Sequence, residues 1–149
     1  MTSWVVVDSG LYLAVALNET HAATTKAFLN AITLAQTRIG APFLFRYEII
    51  SVIRKHIYRG SITLEDGRVL AQGLLRAPVE IFTAEVLLPR AFELANQFNR
   101  PTAYDSVYLA LAERLECEFW TADLKLFNAV SARLTWVKWI GNYMPSQSS

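Results

Sequence analysis

Short runs of β-branched and aromatic residues alternate with helical patterns along this chain, and this alternation constrains the fold more than any other feature. The first run, 4–7, is apolar without a break and stops at Asp8. A continuous apolar run of this length is typical of a strand buried on both faces, as in a parallel sheet. The sequence therefore predicts an α/β fold, with a central parallel sheet flanked by helices on both faces.

The remaining elements follow from the same patterns and from local start and stop signals. Thr63 is a predicted N-cap, and Pro89 must fall in the first turn of its helix because proline lacks an N–H group. Ligands of parallel α/β sheets bind outside the carboxyl ends of the strands, where Asp8 and Asp123 are expected. Further strands are predicted at 38–41, 79–82, 118–121 and 135–140, and helices at 11–17, 21–36, 43–58, 64–76, 85–98, 103–116 and 124–134.

The composition fits one domain at 1–144, followed by a short polar tail at 145–149. Of the 149 residues, 53% are hydrophobic and 18% charged, which supplies a core and leaves apolar surface for a predicted homodimer interface. The net charge of +1 excludes a general attraction to polyanions, so any affinity for nucleic acid would depend on local clusters of Lys and Arg.

The compartment is predicted from cysteine usage and from the absence of targeting patterns. Cys117 is the only cysteine, which excludes a disulfide framework and fits the reducing cytoplasm. No basic region precedes the first apolar run, so no signal peptide is predicted. No apolar stretch reaches the roughly 18 residues of a membrane span, and no membrane partner is expected.

Four carboxylates, Asp8, Glu48, Asp105 and Asp123, adjoin segments that are predicted to be buried. Burying an unpaired charge is costly, so acids held against apolar segments indicate convergence on a positive partner. Hard cations such as Mg²⁺ and Mn²⁺ take oxygen ligands and would relieve the repulsion between the acids. The chemistry that uses such a cluster is metal-assisted attack of water on a phosphodiester.

Taken singly, the aspartates also have structural explanations, which the sequence leaves open. Asp8 and Asp123 each precede a predicted helix and could be N-caps that accept backbone N–H bonds. Thr102 and Asp105 are three residues apart and could form a pair resembling a capping box.

Glu48 is harder to explain structurally, because it lies in the middle of a predicted helix. The stripe on the opposite side of this helix is apolar too, so the helix is predicted to be buried all round. A glutamate there requires a proton, a metal ion or an ion pair with an arginine. Its same-face neighbours are Leu44, Phe45, Ser51 and Val52.

Two stretches, AYDSVYLALAE at 103–113 and FWTADLKL at 119–126, together with 5–9 and Glu48, resemble the motifs of PIN-domain proteins. The resemblance is specifically to the toxin ribonucleases of VapBC-type toxin–antitoxin pairs. It implies a central parallel sheet with the acids gathered at one edge and cleavage of RNA that depends on Mg²⁺ or Mn²⁺. It also implies a small antitoxin that wraps the groove and holds the activity in check.

The same resemblance implies the roles of individual residues. Asp8, Glu48, Asp105 and Asp123 correspond to the acidic quartet that binds the metal and supports catalysis. Thr121, two residues before the last acid, matches a hydroxyl position that would orient ligands or a water molecule. Ser9 is expected to act similarly beside Asp8.

Cations and aromatic residues give weaker signals. Arg54, Lys55 and Arg59 follow Glu48 on one predicted helix and could hold RNA phosphates. The alternative, which the helix dipole favours, is a solvated helix end. His21 and His56 have no metal-ligand spacing and are predicted to be surface or cap residues. Trp120, Trp136 and Trp139 are predicted to be core or dimer contacts.

The sequence thus favours a metal-dependent endoribonuclease of PIN type over two rivals. One rival is a PIN-like module that binds RNA or protein with little or no turnover, against which the intact quartet argues. The other is a phosphatase-like hydrolase with Asp8 as nucleophile. That mechanism requires a second acid two residues later, where this chain has Gly10.

Overall fold

The computed structural model describes residues 3–83 and 85–145, so the predicted tail beyond Pro145 lies outside the described residues. Within them, five strands form one sheet in the order β3-β2-β1-β4-β5, and every neighbouring pair is parallel. This confirms the predicted α/β architecture. The strands are β1 (Trp4–Val7), β2 (Arg38–Pro42), β3 (Glu80–Phe82), β4 (Glu118–Thr121) and β5 (Val137–Trp139).

Seven α-helices connect and cover these strands within the described residues. They are α1 (Ser9–Ala16), α2 (Ala22–Leu34), α3 (Leu44–Tyr58), α4 (Leu64–Leu75), α5 (Leu88–Gln97), α6 (Tyr104–Leu115) and α7 (Leu124–Val130). Two 3₁₀ helices occupy Glu85–Leu87 and Ile140–Asn142. None of the helices in the described part of the chain is long and apolar enough to cross a membrane.

The core lies around β1 and α6. Val5, Val6 and Val7 are all buried, because β1 has a hydrogen-bonded neighbour on each side and helices above and below. Helix α6 is buried over the whole of 106–112 and packs against both β1 and β2. Asp105 precedes this buried stretch directly, so the core fixes the position of its backbone.

Element boundaries differ from the predicted ones mainly where helices start or end. The predicted helix at 85–98 divides into the 3₁₀ turn and α5, which begins at Leu88 and carries Pro89 in its first turn, as expected from its missing N–H group. Helix α7 ends at Val130 rather than Leu134, and the last strand is shorter than the predicted 135–140.

Helix α3 departs from prediction in its environment. It was expected to be buried all round, and this was wrong. Its stripe of Phe45, Ile49 and Ile53 is buried, whereas Tyr47 is 54% and Ile50 44% exposed. The reason is tertiary: α3 packs against α4 and α1, and its remaining side faces outward.

Candidate functional site

The four acids come together in one cavity of about 940 Å³ at the carboxyl ends of the central strands. Asp8 follows β1 and Asp123 follows β4, and these two strands are parallel neighbours, so their ends meet at one edge. Glu48 lies in the second turn of α3, and Asp105 in the first turn of α6. Residues that are 115 positions apart in sequence thus line one site.

The Asp8 carboxylate is held by three hydrogen bonds. Its Oδ1 caps α1 by accepting from the Leu11 backbone N–H at 3.2 Å, and its Oδ2 accepts from the Thr121 hydroxyl and from Ala122 N at 3.4 Å. Burial raises the pKa of this carboxyl from 3.8 to about 7, and the charge of Glu48 adds to the rise. The hydrogen bonds oppose it. The N-cap interpretation of Asp8 is confirmed, and it coexists with a place in the cavity.

Thr121 connects two of the acids through its hydroxyl. The side chain is fully buried; it donates to Asp8 and accepts from the Asp123 backbone N–H at 2.9 Å. A hydroxyl with this arrangement fixes both the Asp8 carboxylate and the backbone that carries Asp123.

Asp123 is an N-cap as well, and the more exposed of the two. Its Oδ1 accepts from the Leu126 N–H at 3.1 Å at the start of α7. Within the described residues its second oxygen has no hydrogen-bond donor. One carboxylate oxygen therefore caps α7. The other has no hydrogen-bond partner among the described residues and is available to a ligand in the cavity.

Glu48 is partly buried and is held by a hydroxyl group rather than by an arginine. Tyr108 donates to its Oε1 at 2.5 Å, and the nearby Ser9 hydroxyl also favours the charged form of the carboxyl. Burial raises the pKa of this carboxyl, these hydroxyl groups oppose the rise and the charge of Asp105 reinforces it. Tyr108 is itself buried and stacked on Phe119, with ring centroids 5.6 Å apart. The ion-pair alternative for Glu48 is not found among the described residues.

Asp105 pairs with Arg100 and not with Thr102. Arg100 Nη2 lies 3.5 Å from Oδ2, and the N-cap of α6 is Ala103, which makes no side-chain cap bond. The predicted capping-box pair is therefore wrong. Burial raises the pKa of Asp105 and the charge of Asp123 adds to it, whereas Arg100 lowers it.

Repulsion links the acids in a continuous series. Glu48 raises the pKa of Asp8, Asp105 raises that of Glu48, and Asp123 raises that of Asp105. Such a series is relieved by protons or by a cation. Oxygen donors of this kind suit a hard divalent ion.

The donor set fits Mg²⁺ or Mn²⁺ only with help from other ligands. Over 3–83 and 85–145, no three acidic, histidine or cysteine side chains are grouped closely enough to hold an ion by themselves. Mg²⁺ usually keeps several waters and takes one or two carboxylates together with substrate phosphate oxygens. The arrangement suits that mode of binding rather than a closed protein cage.

The sequence missed a second wall of the same cavity. It is formed by the α1–α2 connection, 18–21, and by Trp139 at the end of β5. His21 had been predicted to be a surface or cap residue; it occupies the N-cap of α2 without a side-chain cap bond and lines the cavity. No local signal could have revealed this, because only the sheet order brings β5 to this edge. Tyr108 and Arg100 were missed for the same reason.

The chain is similar to known proteins in sequence and in fold. The PIN domain family matches residues 5–132. Over 129 residues the chain is 33% identical to a VapC ribonuclease of Mycobacterium bovis, which covers 87% of this chain and 93% of the relative.

Two solved structures share the fold at low sequence identity. PAE2754 from Pyrobaculum aerophilum superimposes with a TM-score of 0.67 at 16% identity, over 94% of this chain and 85% of that one. A toxin–antitoxin complex from Klebsiella pneumoniae gives 0.62 at 14% identity, over 97% and 99% of the two chains.

Proposed function

This chain belongs to the PIN-domain family, with VapC ribonucleases among its relatives, and we propose that it is a metal-dependent endoribonuclease, the toxin of a toxin–antitoxin pair. The observation that carries the proposal is the cavity in which Asp8, Glu48, Asp105 and Asp123 meet from four separate elements. The relatives' name supports RNA as the substrate.

We assign the roles that the PIN-domain resemblance implies, supported by the place of each side chain in the cavity. Asp8, Asp105 and Asp123 are the metal ligands, and Glu48 completes the ligand set or positions the attacking water. A bound Mg²⁺ or Mn²⁺ lowers the pKa of water and stabilises the charge that develops on the phosphate oxygens. Thr121 holds Asp8 in place through its hydroxyl.

The Tyr108 hydroxyl restricts the orientation of the Glu48 carboxylate, which lines the cavity. Tyr108 occupies Oε1, so the second oxygen is the one available to a water molecule or an ion. Because Tyr108 is buried and stacked, it can hold this orientation without ordering an exposed side chain at each turnover.

The partners belong to the same proposal. A small antitoxin that covers the groove is supported by the Klebsiella complex, whose fold this chain shares. A homodimer is supported by the exposed apolar side chains on α3 and α5. Cys117 is a free thiol, which fits the reducing cytoplasm.

The test is RNA cleavage by the purified protein, freed of any antitoxin. Mixed cellular RNA including tRNA would be incubated with Mg²⁺, Mn²⁺ or EDTA. Asp105→Asn removes one proposed ligand, and Asp66→Asn makes the same chemical change at an exposed position on α4. We expect metal-dependent fragments from the wild type and from Asp66→Asn, and none from Asp105→Asn.

A parallel melting experiment separates the alternatives. If Mn²⁺ raises the melting temperature of the wild type but not of Asp105→Asn, and no RNA is cleaved, the metal site stands and the binding module without turnover is favoured. If neither cleavage nor any response to metal is observed, the assignment of the acids as metal ligands is wrong.

A further inference from the structure

We propose that the wall formed by 18–21 and Trp139 is a binding subsite for one RNA base next to the cleaved phosphate, with His21 and Trp139 as its principal contacts. The identity of the ligand rests on the proposed ribonuclease function. The subsite itself rests on the cavity, the aromatic pair and the unpaired polar groups of this wall.

The cavity is large, and the charged side chains that line it are acidic. At about 940 Å³ it lies near the upper end of the range of small-molecule pockets, and it is far larger than a hydrated ion requires. No lysine or arginine is among the described residues that line it. With no Lys or Arg in this lining, a phosphate would be repelled by the carboxylates once the metal ligands are satisfied, whereas a neutral base is not repelled.

His21 and Trp139 form an aromatic pair in the wall of the cavity. The rings of His21 and Trp139 meet edge to face, with centroids 5.3 Å apart and planes at 83°. The Trp139 indole also lies directly against Gly141, where even a Cβ atom would overlap the ring. The indole is thus held from two sides. Aromatic side chains in such positions stack with single-stranded bases.

Polar groups of this wall lack hydrogen-bond partners among the described residues. Trp139 Nε1 is buried and has no hydrogen-bond acceptor among the described residues. The His21 ring nitrogens make no hydrogen bond there either, although an N-cap side chain usually bonds its helix. The His21 ring is half-buried, so its nitrogens can exchange hydrogen bonds with the edge of a base, whereas Trp139 Nε1 can do so only after a base has displaced the groups that cover it.

Backbone conformation agrees with a binding role. Asn18 and His21 both adopt positive φ, 51° and 71°, a region that Asn and His tolerate better than most residues other than glycine. Two such residues within four positions hold the connection in one shape beside the cavity.

The test compares His21→Asn with His56→Asn. Asparagine tolerates positive φ and is a good N-cap, so the first variant removes the ring and keeps the backbone. His56 lies on α3 and does not line the cavity, so its variant is the matched control. Trp139→Phe removes the indole N–H, and it carries the test if His21→Asn does not fold.

Binding is measured in EDTA, so that no cleavage is needed. Fluorescence anisotropy would follow labelled 12-residue RNAs of A, C or U. We expect the wild type and His56→Asn to bind one of the three best, and His21→Asn and Trp139→Phe to bind it about tenfold more weakly. Equal binding by all four proteins, or none by the wild type, would overturn the subsite.

Cleavage of a randomised RNA pool gives the second readout. Sequencing of the fragments is expected to show a preferred base beside the cut for the wild type, and a loss of that preference in His21→Asn. Both proteins should keep the Mn²⁺-dependent rise in melting temperature. An unchanged preference would contradict the inference, whereas absent cleavage with selective binding in EDTA would count against the ribonuclease function alone.

Discussion

At the residue scale, burial of the Asp8 carboxyl in the candidate site lowers the stability of the folded protein. Its folded pKa of about 7 lies above the model-peptide value of 3.8, so the folded protein retains a proton that the unfolded chain releases. Stability therefore falls as pH rises from about 4 to about 7, and the full penalty applies above pH 7. The whole shift of the Asp8 pKa corresponds to about 4 kcal/mol in the free energy of unfolding. We expect about half of this loss, because the carboxyl is partly accessible from the cavity.

The first prediction is that Asp8→Asn stabilises the metal-free protein while abolishing cleavage. Asparagine keeps the N-cap of α1 and cannot ionise, so about 2 kcal/mol is gained at pH 8 and little at pH 4. In a protein of this size that is a rise in melting temperature of roughly 4–8 °C. Asp66→Asn should show no such pH-dependent gain. Thermal melts of both variants at the two pH values make the comparison.

The second prediction concerns Tyr108→Phe, which deletes the hydroxyl that holds Glu48. We expect about a tenfold fall in kcat, since Glu48 loses its fixed orientation, and a change in stability within about 1.5 kcal/mol. Tyr12 is also buried, but its hydroxyl has no hydrogen-bond partner among the described side chains, so Tyr12→Phe is the matched control. Equal activity of the two variants would mean that Tyr108 has only a packing role.

At the scale of elements, two glycines of α4 make opposite predictions. A Cβ atom at Gly67 would overlap Ile57 of α3, whereas no atom of the described residues outside the local helix backbone lies within 4 Å of one at Gly73. Gly67→Ala should therefore destabilise the protein by about 1–3 kcal/mol, because the Ile57 side chain must leave its packed position. Gly73→Ala should stabilise it by about 0.5–1 kcal/mol through the unfolded state. Chemical denaturation of both variants measures the difference; a loss of stability in both would contradict the packing argument.

Helix α3 also supports a prediction about its cations. Lys55 and Arg59 are seven and eleven residues after Glu48, so they lie on its stripe of the helix, whereas Arg54 does not. Both are exposed, and neither takes part in the ion pairs of the described residues. The stripe thus leads from the cavity along the helix, which favours phosphate binding over the solvated helix end.

If this is correct, replacing Lys55 and Arg59 by Gln weakens RNA binding and lowers the salt dependence of log K by about 1.4, the value for two phosphates of a single strand. Arg114→Gln with Arg133→Gln changes the net charge equally on other elements and should have a smaller effect. Binding would be measured over a series of salt concentrations. Identical slopes for the two double variants would favour the solvated helix end.

Elements could be predicted where the residues that determine them are close together in the sequence. The strand at 118–121 and the start of α4 after Thr63 were predicted correctly, because aromatic and β-branched residues and capping residues act within a few positions. The exposure of Ile50 and the contact of Tyr108 with Glu48 were not, since both depend on which elements pack together. The four acids could be predicted because a charged residue next to apolar segments is visible in the sequence. No pattern around His21 indicates its place in the cavity.

At the scale of the whole molecule, the sheet order creates the candidate site. β1 lies between β2 and β4, so Asp8 is central, and the segments that carry Glu48 and Asp123 leave the strands on either side of it. β5 lies beyond β4 and brings Trp139 to the same cavity. The acids and the proposed base subsite are therefore consequences of a single topology.

The outer surface carries the last prediction. Phe43, Tyr47 and Ile50 lie on one stripe at the start of α3, and Val86 lines a shallow apolar cavity with Phe43; we call these four residues the Phe43 patch. All four are at least 44% exposed, and the rings of Phe43 and Tyr47 are in contact. Apolar side chains clustered in this way mark a protein–protein interface more often than free surface.

We expect the wild type to sediment as a dimer at micromolar concentration, and Tyr47→Ser with Ile50→Ser to sediment as a monomer of unchanged fold. Leu34→Ser is the control, because Leu34 is 86% exposed on α2 and lies outside the patch. A wild type that remains monomeric would remove the homodimer and leave the patch to the antitoxin. A double variant that stays dimeric would place the interface elsewhere, because removing two central apolar side chains should weaken a dimer built on the Phe43 patch.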